Sequence, residues 1–150
     1  MRICRSFKVK VPTNEEYSFF VKKHHSSLWR RVPETWTCPV CGRHKIEIMR
    51  WKAGSWKGSL HCHHDHGLRW EGRYIICGDC NSADGIAKKH LCLPSDWSFT
   101  PDELQEFVRC EPYGSIASID LDTALVIYME ENMSLIAQGL FEEKIQENTM

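Results

Sequence analysis

The chain has 150 residues, a net charge of −1 and eight cysteines. That length predicts one ordinary domain with appendages, and no apolar run approaches the ~18–20 residues of a membrane span, which excludes an integral membrane protein of the helical kind. The small net charge hides a division. Met1 to Leu93 holds 17 Lys and Arg against 8 Asp and Glu, and the remainder holds 2 against 12, so a basic half suited to a polyanion such as DNA precedes an acidic one.

Residues 1–10 alternate basic and apolar side chains, read as a strand-like start, and lack the apolar stretch of a secretory leader, so the expected location is the cytoplasm. Thr13-Asn-Glu-Glu16 has the spacing of a capping box and predicts a helix over 13–25, with Tyr17, Phe20, Val21 and His24 as its buried stripe. Lys22, Lys23, Arg30 and Arg31 flank Trp29, a pattern shared by nucleic-acid backbone contacts and by ordinary exposed loops. Cys38-Pro-Val-Cys41-Gly42 reads as a metal knuckle, in which Gly42 permits the tight turn between two thiolates. The period-two alternation of residues 45–51 predicts a strand, 53–55 a turn, and 56–62 a return strand. After a turn at Gly67, residues 69–76 predict the partner strand, and Cys77-Gly-Asp-Cys80 a second knuckle. Residues 81–90 predict a helix with Asp84 in its first turn and Lys88, Lys89 and His90 in its last.

Beyond Pro94 the composition turns acidic. Thr100-Pro-Asp-Glu103 combines an N-cap, a proline at the first helical position and a glutamate three residues on, which predicts a helix to about Cys110, ended by Glu111-Pro-Tyr-Gly114. Over 120–145, Leu121, Leu125, Tyr128, Met129, Met133, Ile136 and Leu140 recur at helical spacing as one amphipathic helix or two. This stripe suits the core or, as a second reading, a homodimer interface; the acidic tail also suits a protein partner.

Two CxxC pairs in a chain with no export signal point to metal rather than to disulfides, and four thiolates complete a tetrahedral zinc site with no open position. Cys4, Cys62, Cys92 and Cys110 are left as free thiols. Between the knuckles, His61, His63, His64 and His66 surround Asp65. Neighbouring histidines on a strand point to opposite faces, so His63 and His64 can divide two tasks. An imidazole accepts a proton near neutral pH and suits deprotonation of a water, while a cation held by the other histidine and by Asn81 would stabilise charge on phosphorus.

His61-Cys-His63-His64-Asp-His66, Arg73 four residues before Cys77, and Cys80-Asn81-Ser-Ala-Asp-Gly85 between paired CxxC knuckles resemble the HNH (His-Me finger, ββα-metal) nucleases, most closely the phage recombination endonuclease VII family. The resemblance covers roughly residues 38–89. It implies an α+β fold: a zinc-stapled ββα-metal finger with an N-terminal helix and an acidic C-terminal helical segment, divided as a basic nuclease domain over 1–93 (motif core 38–90) and an extension over 94–150. It implies metal-dependent hydrolysis of DNA, with His64 as general base, His63 and Asn81 as ligands of the catalytic cation (Mg2+, Mn2+ or another transition metal), and His61, His66 and Arg73 as supporting or phosphate-contacting residues. Cys38, Cys41, Cys77 and Cys80 would hold structural zinc. Where that family often has Asp as first ligand this chain has His63, which favours Mn2+, Ni2+, Co2+ or Zn2+ over Mg2+. Junction resolution, homing or nicking, and defence all remain open as roles. A non-catalytic zinc module that binds nucleic acid or protein is the competing reading.

Overall fold

The computed structural model describes residues 9–24 and 28–133; residues 1–8 of the strand-like start, Cys4 among them, and His25, Ile136 and Leu140 lie outside them, and Val9 and Lys10 are not in a strand. The capping box at Thr13 is formed in both directions, Glu16 N–H donating to Thr13 Oγ1 at 3.1 Å and Thr13 N–H to Glu16 at 3.2 Å, and it opens helix α1, Asn14–Lys23. Of the four stripe residues Phe20 is buried and the other three are half-buried, with the Phe20 ring edge-on to Trp29 of the single turn α2, Leu28–Arg31.

The strand expected over 45–51 is corrected in its first half. Residues Lys45–Ile48 form a helical turn, α3, and only Arg50–Lys52 form strand β1. Tertiary burial overrides the period of two here: Glu47 accepts the His44 N–H at 2.9 Å, and the buried Lys45 ammonium reaches Val32 O and Glu34 at 3.2 Å each. The return strand is also divided, into β2, Ser55–Lys57, and β3, Leu60–His63. Strands β1 and β2 make a two-residue hairpin, Lys52 opposite Ser55. Its corner residues Ala53 and Gly54 both have positive φ, 51° and 79°, the turn whose twist matches that of the strands.

Strand β3 pairs antiparallel with the short β4, Tyr74–Cys77, Leu60 opposite Cys77 and His63 opposite Tyr74. Helix α4, Gly78–His90, begins three residues earlier than expected because Cys77 is its N-cap, its sulfur accepting the Cys80 N–H. The second knuckle is therefore the first turn of a helix. After the proline-led α5, Pro101–Phe107, strands β5, Val108–Cys110, and β6, Ile116–Ile119, form a third ribbon against α4. The molecule is thus a mixed α+β fold with three two-stranded antiparallel ribbons among the described residues.

Residues 121–133 are helical, but the packed face is one position round from the expected stripe. Ala124 and Ile127 are buried, whereas Leu125, Met129 and Met133 are exposed. Tyr128 meets Trp97 edge-on at 5.0 Å, and the small Ala124 permits close approach to the core. That core runs continuously from Phe20 and Trp29 through Met49, Ile76 and Ala83 to Phe99, Phe107 and Ala124. No helix among the described residues is long and apolar enough to cross a membrane.

Phe99 has no exposed surface and its ring is edge-on to both Trp97 and Phe107. Phe99→Ala is expected to cost about 3–5 kcal/mol, read as a lowered midpoint in chemical denaturation. A loss below about 1 kcal/mol would contradict the packing described, since surface substitutions stay within about half of that.

Candidate functional site

The first centre is built of sulfur. Cys38 and Cys41 bracket the knuckle, where Gly42 takes φ 74° and donates its N–H to Cys38 O at 2.8 Å. Cys77 and Cys80 occupy the first turn of α4, and the Cys77 N–H donates to Cys38 Sγ at 3.4 Å. The four sulfurs lie within 4.8 Å of one another, close enough to hold a metal ion such as zinc. Zinc–sulfur bonds of about 2.3 Å set the edge of a tetrahedron at about 3.8 Å, and the Cys41–Cys77 separation is 3.8 Å.

Arg43 completes this centre, and nothing in the knuckle spacing points to it. Its buried guanidinium donates to Cys41 Sγ at 3.2 Å, to Cys77 Sγ at 3.3 Å and to Asp79 at 2.9 Å. Burial opposes its charge, but the hydrogen bonds to Cys41 and Asp79 and the nearby Cys77 outweigh that and push its pKa up, so it is a fixed cation beside the thiolates. Asp79 is held in turn by Arg50 at 2.7 Å. Among the cysteines expected to be left over, Cys62 and Cys92 are exposed free thiols. Cys110 is also a free thiol, but it lies against the centre, 3.9 Å from Cys80 Sγ.

The second centre lies where β3 ends. His63 is buried, and its Nε2 is 2.7 Å from the carbonyl of Phe99. A carbonyl only accepts, so Nε2 carries the proton, and in the neutral ring Nδ1 keeps a lone pair. That Nδ1 faces Asn81 Oδ1, in the first turn of α4, at 3.3 Å. Two acceptors so placed repel unless a positive centre lies between them, a shared cation or a second proton on Nδ1, or unless the Asn81 amide is turned to donate its Nδ2–H to Nδ1. Ligands about 2.1 Å from an octahedral ion and at right angles stand about 3 Å apart, so the pair fits adjacent ligands of a divalent ion.

His64, half-buried, is turned the other way. Its Nδ1 sits 3.3 Å from the Cys62 carbonyl, which draws the proton to Nδ1 and leaves Nε2 as the basic atom. Adjacent histidines are therefore held in opposite tautomers by two main-chain carbonyls. His66 packs its ring against His64 at 4.7 Å and is otherwise exposed, as is Arg73; His61 lies apart, near Ser59 Oγ.

The groups that hold this arrangement come from beyond Pro94 as well as before it. Asp65 accepts the N–H of Arg69 at 2.9 Å and that of Ser98 at 3.2 Å. Arg69 and Trp70 each donate to Ser98 O at 2.9 Å, and Arg69 also pairs with Glu103. Asp84 is buried, accepts the Phe99 N–H at 2.9 Å and pairs with Lys88 at 2.9 Å. The segment 97–99 is thereby laced between the histidine loop and α4, which fixes the Phe99 carbonyl on His63. The i,i+4 spacing of Asp84 and Lys88 was the only local signal for any of these; Asp84 was expected merely to complement the helix dipole.

No family model, curated protein or solved structure matches this chain. Elemental analysis of the purified protein is expected to find about one zinc per chain by the four-thiolate argument, and Cys77→Ser, which removes a ligand and the N-cap of α4, is expected to lose it. A zinc-free protein with native circular dichroism would contradict the sulfur centre.

Proposed function

We propose that the protein is a metal-dependent DNA endonuclease of the HNH kind, closest to the recombination endonuclease VII enzymes, with structural zinc on Cys38, Cys41, Cys77 and Cys80. The observation that carries this reading is the placement of two adjacent imidazoles: His63 faces the Phe99 carbonyl with Nε2 at 2.7 Å and Asn81 Oδ1 with Nδ1 at 3.3 Å, while His64 faces the Cys62 carbonyl with Nδ1 at 3.3 Å. A two-stranded ribbon, β3 and β4, leading directly into the helix that bears Asn81 is also the order of elements in a ββα-metal finger.

In this reading His64 Nε2 takes the proton of the attacking water, with Nδ1–H to the Cys62 carbonyl orienting the ring. His63 and Asn81 would hold a divalent cation, and its positive charge would stabilise the charge that builds up on phosphate and leaving oxygen. The Phe99 carbonyl fixes the ring of His63 and keeps Nδ1 as its ligating atom. Exposed His66 and Arg73 contact the phosphate backbone. The basic half of the chain, with Arg31, Lys52, Lys57 and Lys89 exposed, supplies the electrostatic attraction to DNA. A non-catalytic module remains the competing outcome, since a doubly protonated His63 would satisfy the same contacts.

The direct test is cleavage of supercoiled plasmid and of a four-way junction with added divalent metal. His64→Ala is expected to lower the rate by about 10²–10⁴-fold, the usual worth of a general base, with zinc content and fold retained. Full activity in that variant would remove the base assignment, and a metal-supplemented wild type that cuts neither substrate would favour the non-catalytic module. Because imidazole prefers softer ions than carboxylate does, activity is expected to be higher with Mn2+ or Ni2+ than with Mg2+, and His63→Asp to shift the preference towards Mg2+. An unchanged metal ranking in His63→Asp would contradict His63 as ligand.

A further inference from the structure

Cys110 is one of the cysteines that two CxxC pairs leave over, and it lies beside them. It ends β5, the ribbon strand packed on α4, and its sulfur is 3.9 Å from Cys80 Sγ. It is not a member of the set of four whose ligand atoms lie mutually within 4.8 Å. Cys110 thus stands beside Cys80, just outside that set.

The two separations that define this arrangement match the same bond geometry. A zinc tetrahedron has sulfur edges of about 3.8 Å; Cys41 and Cys77 are 3.8 Å apart, and Cys80 and Cys110 are 3.9 Å apart. Cys110 therefore stands at the distance from Cys80 that two sulfur ligands of one zinc ion keep.

Arg43 ties both halves of this arrangement together. While its Nε and one terminal nitrogen donate to Cys41 and Cys77, its other terminal nitrogen donates to the carbonyls of Glu111 and Gly114, at 3.1 Å each. Those carbonyls belong to the turn that follows Cys110 directly. The buried cation that stabilises the thiolates thus also fixes the chain segment that presents the fifth sulfur.

We propose that Cys110 is a reserve ligand: zinc is held by Cys41, Cys77 and Cys80 together with either Cys38 or Cys110. In the exchange the bond from zinc to Cys38 breaks and a bond to Cys110 forms. Cys110 gives up its thiol proton, Cys38 gains one, and the charge of the centre is unchanged. No oxidation is involved. The consequence is that the knuckle carrying Cys38 can open without loss of the metal, because the substitute comes from the ribbon packed on α4. The inference rests on the zinc centre and not on the nuclease reading, and its test measures no cleavage.

The experiment replaces zinc by Co2+, whose thiolate charge-transfer intensity counts sulfur ligands, in the wild type, Cys38→Ser, Cys110→Ser and the double variant. Both single variants are expected to bind about one equivalent with a four-thiolate spectrum. The double variant is expected to lose about a quarter of the intensity, as four sulfurs become three. A three-thiolate spectrum in Cys38→Ser, with no further loss in the double variant, would make Cys110 a neighbouring thiol only and overturn the proposal. Cys38 also accepts the Cys77 N–H, so Cys38→Ser can fail to fold for that reason. In that event the rate of zinc transfer to a chelator from folded Cys110→Ser decides: about 10–100-fold faster than wild type is expected, and an unchanged rate overturns the proposal.

Discussion

The first turn of α4 carries both centres, and the geometry of the rest depends on it. Cys77 caps the helix, Cys80 faces the sulfurs, and Asn81, one residue further and about 100° round the axis, faces His63. The same turn that closes the sulfur cluster therefore sets the position of Asn81. A helix start is usually a set of unsatisfied N–H groups. Here the Cys77 sulfur accepts one of them, and Asp79 beside it is held by Arg43 and Arg50.

The opposite wall of the second centre has a different origin. His63 ends β3 and His64 begins the ten-residue link to β4, a length at which a loop would ordinarily adopt many conformations. Asp65, Arg69 and Trp70 pin it to Ser98, and Asp84 pins Phe99 to α4. Because Asp84 is buried with both its hydrogen bond and its ion pair satisfied, its charge is compensated, and removing one partner would leave the other unpaired. The acidic segment after Pro94 thus contributes main-chain atoms to the site and shares one core with the basic half.

What was legible in the sequence was local. The capping boxes at Thr13 and Thr100, the turn at Gly42 and the knuckle spacings depend on neighbours within four residues, and each is formed. The pairing of His63 with Asn81 was legible through one further regularity, their register with the two knuckles. What was not legible depends on distant contacts. Residues 45–48 alternate like a strand but coil because Lys45 is drawn under Val32 and Glu34. The stripe through Leu125, Met129 and Met133 has the right period and the wrong phase, since Trp97 and the core choose Ala124 and Ile127 instead. Phe99 reaches His63 across 36 residues through a carbonyl, a group every residue has, so its side chain gives no hint. Cys110 stands beside the other sulfurs for the same reason: only the packing of β5 on α4 brings it there.

The central claim is that His63 and Asn81 form an open cation site separate from the sulfur centre. Manganese binding to the zinc-loaded protein, followed by electron paramagnetic resonance, tests it without reference to any substrate. The account predicts one Mn2+ in the wild type and in His64→Ala, and an affinity lower by about 10–100-fold or more in His63→Ala and Asn81→Ala, as loss of a ligand requires. Manganese binding of equal affinity in Asn81→Ala and the wild type would contradict it.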